Sequence, residues 1–272
     1  MNRTIKKVGI IGCGAIGSRL AKFIEKNLSK YSEIIALSDL DRLAAEKLSQ
    51  QLKSHPNILE VNKLISKCDL VIESAIKNVS FEIAKTALKL NKEVLIMSVG
   101  GLIGHGDISS LLANSKGKLY IPSGAICGLD AFKALALSGV NKVELCTYKS
   151  VDGLKTSPFV VNNKINLKAL KKETMIFSGG VMEAVQNFPA NINVAATLSL
   201  LLKDKNKLKI KIFTGPGIKR NIHKIKFYSN AGMVVAETYN VVCPDNPKTS
   251  YLAVLSAQSV LKNIFSSLRM GS

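Results

Sequence analysis

The sequence predicts an α/β protein: an amino-terminal, doubly wound parallel sheet followed by a second α+β domain on a mostly antiparallel sheet. Three observations carry this. Between Ile5 and about Tyr120, apolar runs alternate with helical periods, the pattern of strands buried on both faces and joined by helices. Val8–Asp39 reads as strand, glycine turn, helix, strand and acidic residue, which is one parallel crossover unit. After Gly128 the pattern changes, and Lys207–Ile212 alternates strictly between lysine and apolar residues, as a strand with one face in solvent does.

In the first domain, strands are expected at Lys7–Ile11, Glu33–Ser38, Leu70–Ser74, Val94–Val99 and Leu119–Pro122. The first helix carries Ile16, Leu20, Phe23, Ile24 and Leu28 on one face, and later helices fall at about Asp41–Leu52 and Ser80–Leu90. The turn before the first helix holds Gly12, Gly14 and Gly17 in G-x-G-x-x-G spacing. Gly12 permits the tight turn, Gly14 lets a pyrophosphate approach the backbone, and Gly17 lets the helix pack closely on the sheet. The helix N-terminus, at Ala15 and Ile16, offers N–H groups and a partial positive charge to the phosphates. Asp39 follows Gly17 by 22 residues, where a carboxylate accepts hydrogen bonds from an adenosine ribose. The unit is therefore a Rossmann-type dinucleotide site. A carboxylate at Asp39 favours NAD over a 2′-phosphate, while Arg42, three residues on, keeps NADP open. Ligands of such sheets sit beyond the strand C-termini, which directs attention to Ser74–Ile76, Ser98–Gly101 and Ser123–Gly128.

The second domain reads as strands at Lys142–Tyr148, Glu173–Ser178, Lys207–Phe213, Ile222–Tyr228 and Met233–Val241. A helix at about Asn191–Lys203 interrupts them, and a last helix at about Lys248–Arg269 follows the Cys243–Pro247 turn. The expected organisation is residues 1–122 as the dinucleotide domain and 123–245 as a substrate and dimerisation domain, with 246–272 returning to the first.

With 272 residues and 47% hydrophobic content, the chain can bury two modest cores. It contains no apolar run of about eighteen residues, and MNRTIKK leads into the first strand without a signal-peptide pattern, so a cytoplasmic, membrane-free protein is expected. Five widely spaced cysteines without C-x-x-C or Cys/His clustering argue against a disulfide framework and a metal site. The net charge of +19 raises nucleic acid as a partner. The lysines are dispersed, with no basic tail and no helix-turn-helix or zinc-finger pattern, and no aromatics interleave with those of Lys207–Ile212, which argues for a solvated surface that steers anionic substrates instead.

Of three histidines, His55 lies in a polar turn, His105 in the glycine-rich stretch after the fourth strand, and His223 at the start of a second-domain strand. Spacing alone does not choose between His105 and His223.

Four stretches together resemble the L-aspartate dehydrogenase family: the Gly12–Gly17 fingerprint, Ser123–Asp130 (SGAICGLD), Phe188–Thr197 (FPANINVAAT) and Asp245–Ser250 (DNPKTS). The resemblance runs nearly end to end. In that family the cofactor is contacted at the positions matching Cys127 and Asn193, and the active-site histidine matches His223. Three departures stand out: cysteine at 127 where alanine is usual, SVGG at Ser98–Gly101 where SVGA is commoner, and no basic, proline-containing segment at Tyr148–Gly153.

The resemblance implies oxidation of L-aspartate with NAD(P)+ to iminoaspartate, which hydrolyses to oxaloacetate and ammonia and feeds NAD biosynthesis, in a homodimer. A histidine titrating near neutrality would deprotonate the amine and activate water on the imine. Lys248 and Thr249, at the start of the last helix, are the candidates for the substrate carboxylates, with simple helix capping as the alternative. The rival readings are a related oxidoreductase acting on a dihydrodipicolinate- or homoserine-type substrate, and a non-catalytic dinucleotide or nucleic-acid binding protein.

Overall fold

The computed structural model describes residues 5–75, 77–105, 108–189, 192–244 and 246–268. Its described residues divide into two compact units, the first made of residues up to Pro122 together with those from Val254 onward, and the second of Ser123–Ala253.

The first unit runs β1 (Lys6–Ile11), α1 (Ala15–Asn27), β2 (Ser32–Ser38), α2 (Arg42–Gln51), β3 (Asn57–Ile58), α3 (Val61–Lys67), β4 (Leu70–Glu73), α4 (Lys77–Lys89), β5 (Glu93–Ile96), α5 (Ile108–Ala113) and β6 (Leu119–Tyr120). All six strands are parallel in the order β3-β2-β1-β4-β5-β6, so the chain reverses direction across the sheet between β1 and β4. Val8, Ile10, Leu70, Val71, Ile72, Val94 and Leu95 are fully buried, as a sheet covered on both faces requires. Helix α1 buries Gly17, Leu20, Ala21 and Ile24. Asp41 caps α2 by accepting from the N–H groups of Leu43 (3.1 Å) and Ala44 (3.3 Å).

Strand β4 stops at Glu73 and β5 at Ile96, earlier than the apolar runs suggest, because Val99–Leu102 turns into a short 3-10 helix. Strand β3 and the short helices α3 and α5 are absent from the sequence reading; none is long enough for its periodicity to stand out.

The second unit contains α6 (Leu129–Ala136), β7 (Val140–Tyr148), α7 (Val151–Leu154), α8 (Pro158–Asn162), β8 (Thr174–Gly179), α9 (Val181–Asn187), α10 (Asn193–Leu200), β9 (Leu208–Thr214), β10 (Ile222–Ser229), β11 (Gly232–Tyr239), β12 (Val242–Cys243) and β13 (Asn246–Ser250). Its main sheet has the order β11-β10-β7-β9-β8, antiparallel except for the parallel pair β7–β9. One face buries Val143, Leu145, Leu208, Ile210, Ile212, Ile225 and Phe227. The alternate positions Lys209, Lys211, Lys224 and Lys226 fall on the other face.

The last helix, α11 (Tyr251–Phe265), begins later than its sequence pattern suggests. Residues 246–250 instead pair with β12, Asn246 opposite Cys243 and Ser250 opposite Val242. Pro247 biases the residue before it to extended backbone, which suits a strand and delays the helix. Ser250 Oγ donates to Asn240 Oδ1 at 2.6 Å and fixes the end of this hairpin.

Candidate active site

In the first unit, the glycine turn is built by close approach. Gly12 has φ +92°, and a Cβ there would lie 2.5 Å from the Ser74 carbonyl carbon and 2.6 Å from the Ala75 nitrogen. A Cβ on Gly17 would run into the Gly12 carbonyl oxygen. These two glycines bring α1 against the ends of β1 and β4. Gly14 is different: a Cβ there would meet nothing within 4 Å, so its bareness serves a ligand and not the protein's own packing. Gly14, Ala15 and Ile16 open α1, where the first N–H groups lack intrahelical acceptors.

Asp39, at the end of β2, accepts from the Cys13 N–H (2.5 Å) and the Asp41 N–H (2.9 Å), so its carboxylate ties the glycine turn to the start of α2. The cleft beside it has a volume of about 580 Å³ and is lined by Gly12, Gly14, Asp39, Leu40, Ile65 and Ala75 among others. A pocket of that size, mostly apolar, with the Asp39 carboxylate at the glycine turn and Glu60 and Glu82 also in its lining, suits the adenosine half of a dinucleotide. Arg42 Nε instead meets Glu46 Oε1 at 2.9 Å, in an exposed pair one turn along α2.

The loops after β4 and β5 are joined beneath this turn by Glu73, which is fully buried. It accepts from the Ala75 N–H and the Ser98 N–H, each at 2.9 Å. Ser98 Oγ donates to the Ala75 carbonyl at 2.8 Å, and Ser74 Oγ donates to the Gly12 carbonyl at 2.8 Å. Burial pushes the Glu73 carboxyl up to about 7, against the pull of its amide donors.

In the second unit, His223 sits on the buried face of β10 with only 5% of its surface exposed, between Thr147 of β7 and Thr238 of β11. Its Nδ1 lies 3.0 Å from Thr147 Oγ1. With the ring's proton on Nδ1, donated to that hydroxyl, Nε2 keeps the lone pair a base needs. Burial, aided by the charge of Lys149, lowers the imidazole to about 3. The expectation of a histidine titrating near neutrality is therefore corrected: in this environment His223 is a neutral imidazole throughout the physiological range.

Thr238 Oγ1 and Asn240 Nδ2 both donate to the Ala125 carbonyl at 3.0 Å, and Cys127 Sγ approaches the Glu237 carbonyl at 3.7 Å. The Ser123–Gly128 loop is thus fastened to the strand next to His223. Cys127 is exposed, and so is Asn193, the first residue of α10. His105 is exposed in the first unit, with its ring 5.9 Å from that of Phe81, and His55 is exposed in its turn. Lys248 and Thr249 lie on β13 and not in the first turn of a helix, and the Lys248 side chain falls outside the described residues. Ile76, Ala190, Asn191 and Asp245, from three of the stretches singled out in the sequence, also fall outside them.

Two family models cover most of the chain: "Homoserine dehydrogenase, NAD binding domain" matches residues 12–121, and "Aspartate dehydrogenase, C-terminal" matches residues 130–264. The L-aspartate dehydrogenase of Methanosarcina mazei is 39% identical over 98% of this chain and 99% of its own length. That of Bradyrhizobium diazoefficiens is 30% identical over 98% and 94%. The chain belongs to the L-aspartate dehydrogenase family.

The crystal structure of the L-aspartate dehydrogenase family member from Thermotoga maritima matches with a TM-score of 0.74 at 27% identity, over 98% of this chain and 99% of that one. A scyllo-inositol dehydrogenase from Lactobacillus casei, at 13% identity and a TM-score of 0.52, shares the fold alone. Two charged residues went unread in the sequence: Glu73, which joins the loops after β4 and β5, and Lys149, whose charge acts on His223. A glutamate ending an apolar strand run was the available signal for the first. For the second it was strand alternation, which puts Lys149 on the face of Thr147.

Proposed function

We propose that this protein oxidises L-aspartate with NAD+ to iminoaspartate, which water converts to oxaloacetate and ammonia. One observation carries the reading beyond family membership: through Ala125, the loop bearing Cys127 is fastened to Thr238 and Asn240 at the end of β11, the strand paired with the one bearing His223. Bound at Gly12–Gly17 and Asp39, the nicotinamide nucleotide supplies the hydride acceptor. Asp39 takes the ribose hydroxyls and disfavours a 2′-phosphate, and Arg42, engaged with Glu46, does not offset it; NAD is the preferred cofactor. Cys127 and Asn193 are read as cofactor contacts on the family resemblance of their motifs.

His223 accepts a proton from the substrate ammonium at Nε2, releases it to solvent after hydride transfer, and then takes one from the water that attacks the imine, while Thr147 holds its ring. A base with so low an intrinsic affinity works only when a bound anion raises it. Capture of the imine before hydrolysis would serve the synthesis of the pyridine ring. The enzyme is read as cytoplasmic; among the described residues no helix is long and apolar enough to cross a membrane. Met233, Val235 and Tyr239, exposed on β11, support a homodimer through this sheet.

The test is NADH formation with L-aspartate, L-glutamate, L-alanine and L-homoserine for the wild type and His223→Ala. Only L-aspartate is expected to reduce NAD+, and the substitution is expected to lower turnover about 10²- to 10⁴-fold while NAD+ still binds. Turnover of homoserine without aspartate would overturn the reading. So would salt-sensitive binding to DNA with no amino-acid oxidation.

A further inference from the structure

Asn240 is a buried polar side chain to which neither the family motifs nor the proton-transfer role above gives a task. It follows β11 directly, and its N–H donates to the Asn221 carbonyl at 2.9 Å, so the pairing with β10 continues past Ile222, the residue before His223. Being two residues beyond Thr238, it shares the face on which Thr238 stands opposite His223. Its carboxamide acts in two directions. Nδ2 donates at 3.0 Å to the Ala125 carbonyl, the same oxygen that takes the Thr238 hydroxyl, and Oδ1 accepts from Ser250 Oγ at 2.6 Å. A carbonyl can only accept, so the amide has one orientation that satisfies both partners.

The two partners belong to different parts of the second unit. Ala125 lies in Ser123–Gly128, a stretch without strand or helix in which Gly124 and Gly128 have φ +65° and +82°, so its course depends on individual contacts such as these. Ser250 ends β13, next to Thr249, and stands opposite Val242 of β12. We propose that Asn240 is a positioning residue that joins the Cys127 loop and the Thr249 hairpin into one body, so that NAD+ and L-aspartate meet an arrangement already formed. This rests on the L-aspartate dehydrogenase reading, in which the loop contacts the cofactor and the hairpin the substrate. Without the bridge, the competent arrangement is populated only part of the time, and apparent affinity falls by that fraction; saturating ligand restores it, and turnover recovers. His223 is left in place, because its contact with Thr147 and the pairing of Asn221 with the Asn240 N–H involve no atom of the carboxamide.

The experiment uses the full chain as wild type, Asn240→Asp, Asn240→Ala, Ser250→Ala and the double variant Asn240→Ala/Ser250→Ala. Aspartate at 240 still accepts from Ser250 but sets an oxygen against the Ala125 carbonyl. Steady-state kinetics give kcat and KM for L-aspartate, titration gives the Kd for NAD+, and the rate at which iodoacetamide alkylates the exposed Cys127, read by peptide mass, follows the loop with no ligand bound. Asn240→Asp is expected to raise the Kd for NAD+ and the KM for L-aspartate about 10- to 100-fold, with kcat within about threefold of wild type. Ser250→Ala removes the contact that aims the amide at Ala125, so Cys127 in the distant loop is expected to alkylate about fivefold faster. The double variant is expected to match Asn240→Ala, since both substitutions break one bridge.

A lower melting temperature in Asn240→Asp with KM and Kd unchanged would mark a merely structural role and overturn the proposal, as would wild-type alkylation of Cys127 in Ser250→Ala. If the wild type does not oxidise L-aspartate at all, the substrate reading fails, and the Kd for NAD+ and the alkylation rates still decide whether Asn240 joins loop and hairpin. Should the Asn240 variants not fold, Ser250→Ala, which removes one hydroxyl from a partly exposed residue, decides alone: faster alkylation of Cys127 supports the bridge and an unchanged rate refutes it.

Discussion

Glu73→Gln tests a carboxyl that is fully buried. The carboxyl of Glu73 ends β4 and binds the amides of Ala75 and Ser98, one on each oxygen. Its affinity for a proton is raised on folding from 4.5 to about 7. Between those values the folded state holds more protons than the unfolded state, so the stability present below pH 4.5 is lost as the pH rises through 7. At 1.36 kcal/mol for each unit, the protein loses on the order of 2–3 kcal/mol from this one group between about pH 5 and pH 8.

His223 runs the other way. Its imidazole is lowered from 6.5 to about 3, so its contribution is present above 6.5 and falls by about 2 kcal/mol on going from about pH 8 to pH 5. The two nearly cancel in the wild type, and its overall pH profile conceals both.

Glutamine cannot ionise. It keeps an oxygen acceptor for one loop amide and turns an N–H₂ toward the other, which costs about 1–3 kcal/mol at any pH. Urea unfolding of the wild type and Glu73→Gln at pH 5 and pH 8 separates the terms. The variant is expected to be the less stable protein at pH 5, and the gap to narrow or reverse by roughly 2–3 kcal/mol at pH 8. A gap that is the same at both pH values would refute the argument that Glu73 is a desolvated carboxyl tying the two loops.

Two further substitutions probe the cofactor turn and the histidine. Gly12→Ala places a Cβ against Ser74 and Ala75 at φ +92° and is expected to cost about 1–3 kcal/mol, whereas Gly14→Ala, with open space around it, should leave the melting temperature unchanged and weaken NAD+ about tenfold or more. Thermal melts with and without NAD+ read both, and equal destabilisation by the two would be contrary to this assignment. Thr147→Val removes the hydroxyl 3.0 Å from His223 Nδ1 and frees the ring to rotate and change tautomer; kcat should fall about 10- to 100-fold with an unchanged Kd for NAD+. Wild-type kcat in that variant would show that the hydroxyl does not orient the base.

Much of the fold was legible because its signals are local. The run Val8–Ile11, the glycines at 12, 14 and 17, the stripe from Leu20 to Leu28 and the acid at Asp39 lie within one stretch of chain, and steric rules for a turn and a helix operate over that distance. The lysine alternation of Lys207–Ile212 likewise follows from the two-residue period of a strand. The last helix was misjudged because pairing of residues 246–250 with β12 is a tertiary event, and it overrides the propensity of a segment that could have been helical.

The state of His223 was illegible for the same reason. Its residue type and motif context marked it for proton transfer, but its neutrality depends on the register that sets it between Thr147 and Thr238 and on burial in the sheet's apolar face. Glu73 and Lys149 are, in the sequence, one glutamate and one lysine among many; strands far apart in the chain had to meet before either lost its water. The sequence by itself determined the dinucleotide turn, the parallel sheet followed by a mostly antiparallel one, and the family, since these rest on short-range geometry and on motifs. Only the tertiary structure decided which groups stay charged, because desolvation is a property of everything packed around a group and not of the residue itself.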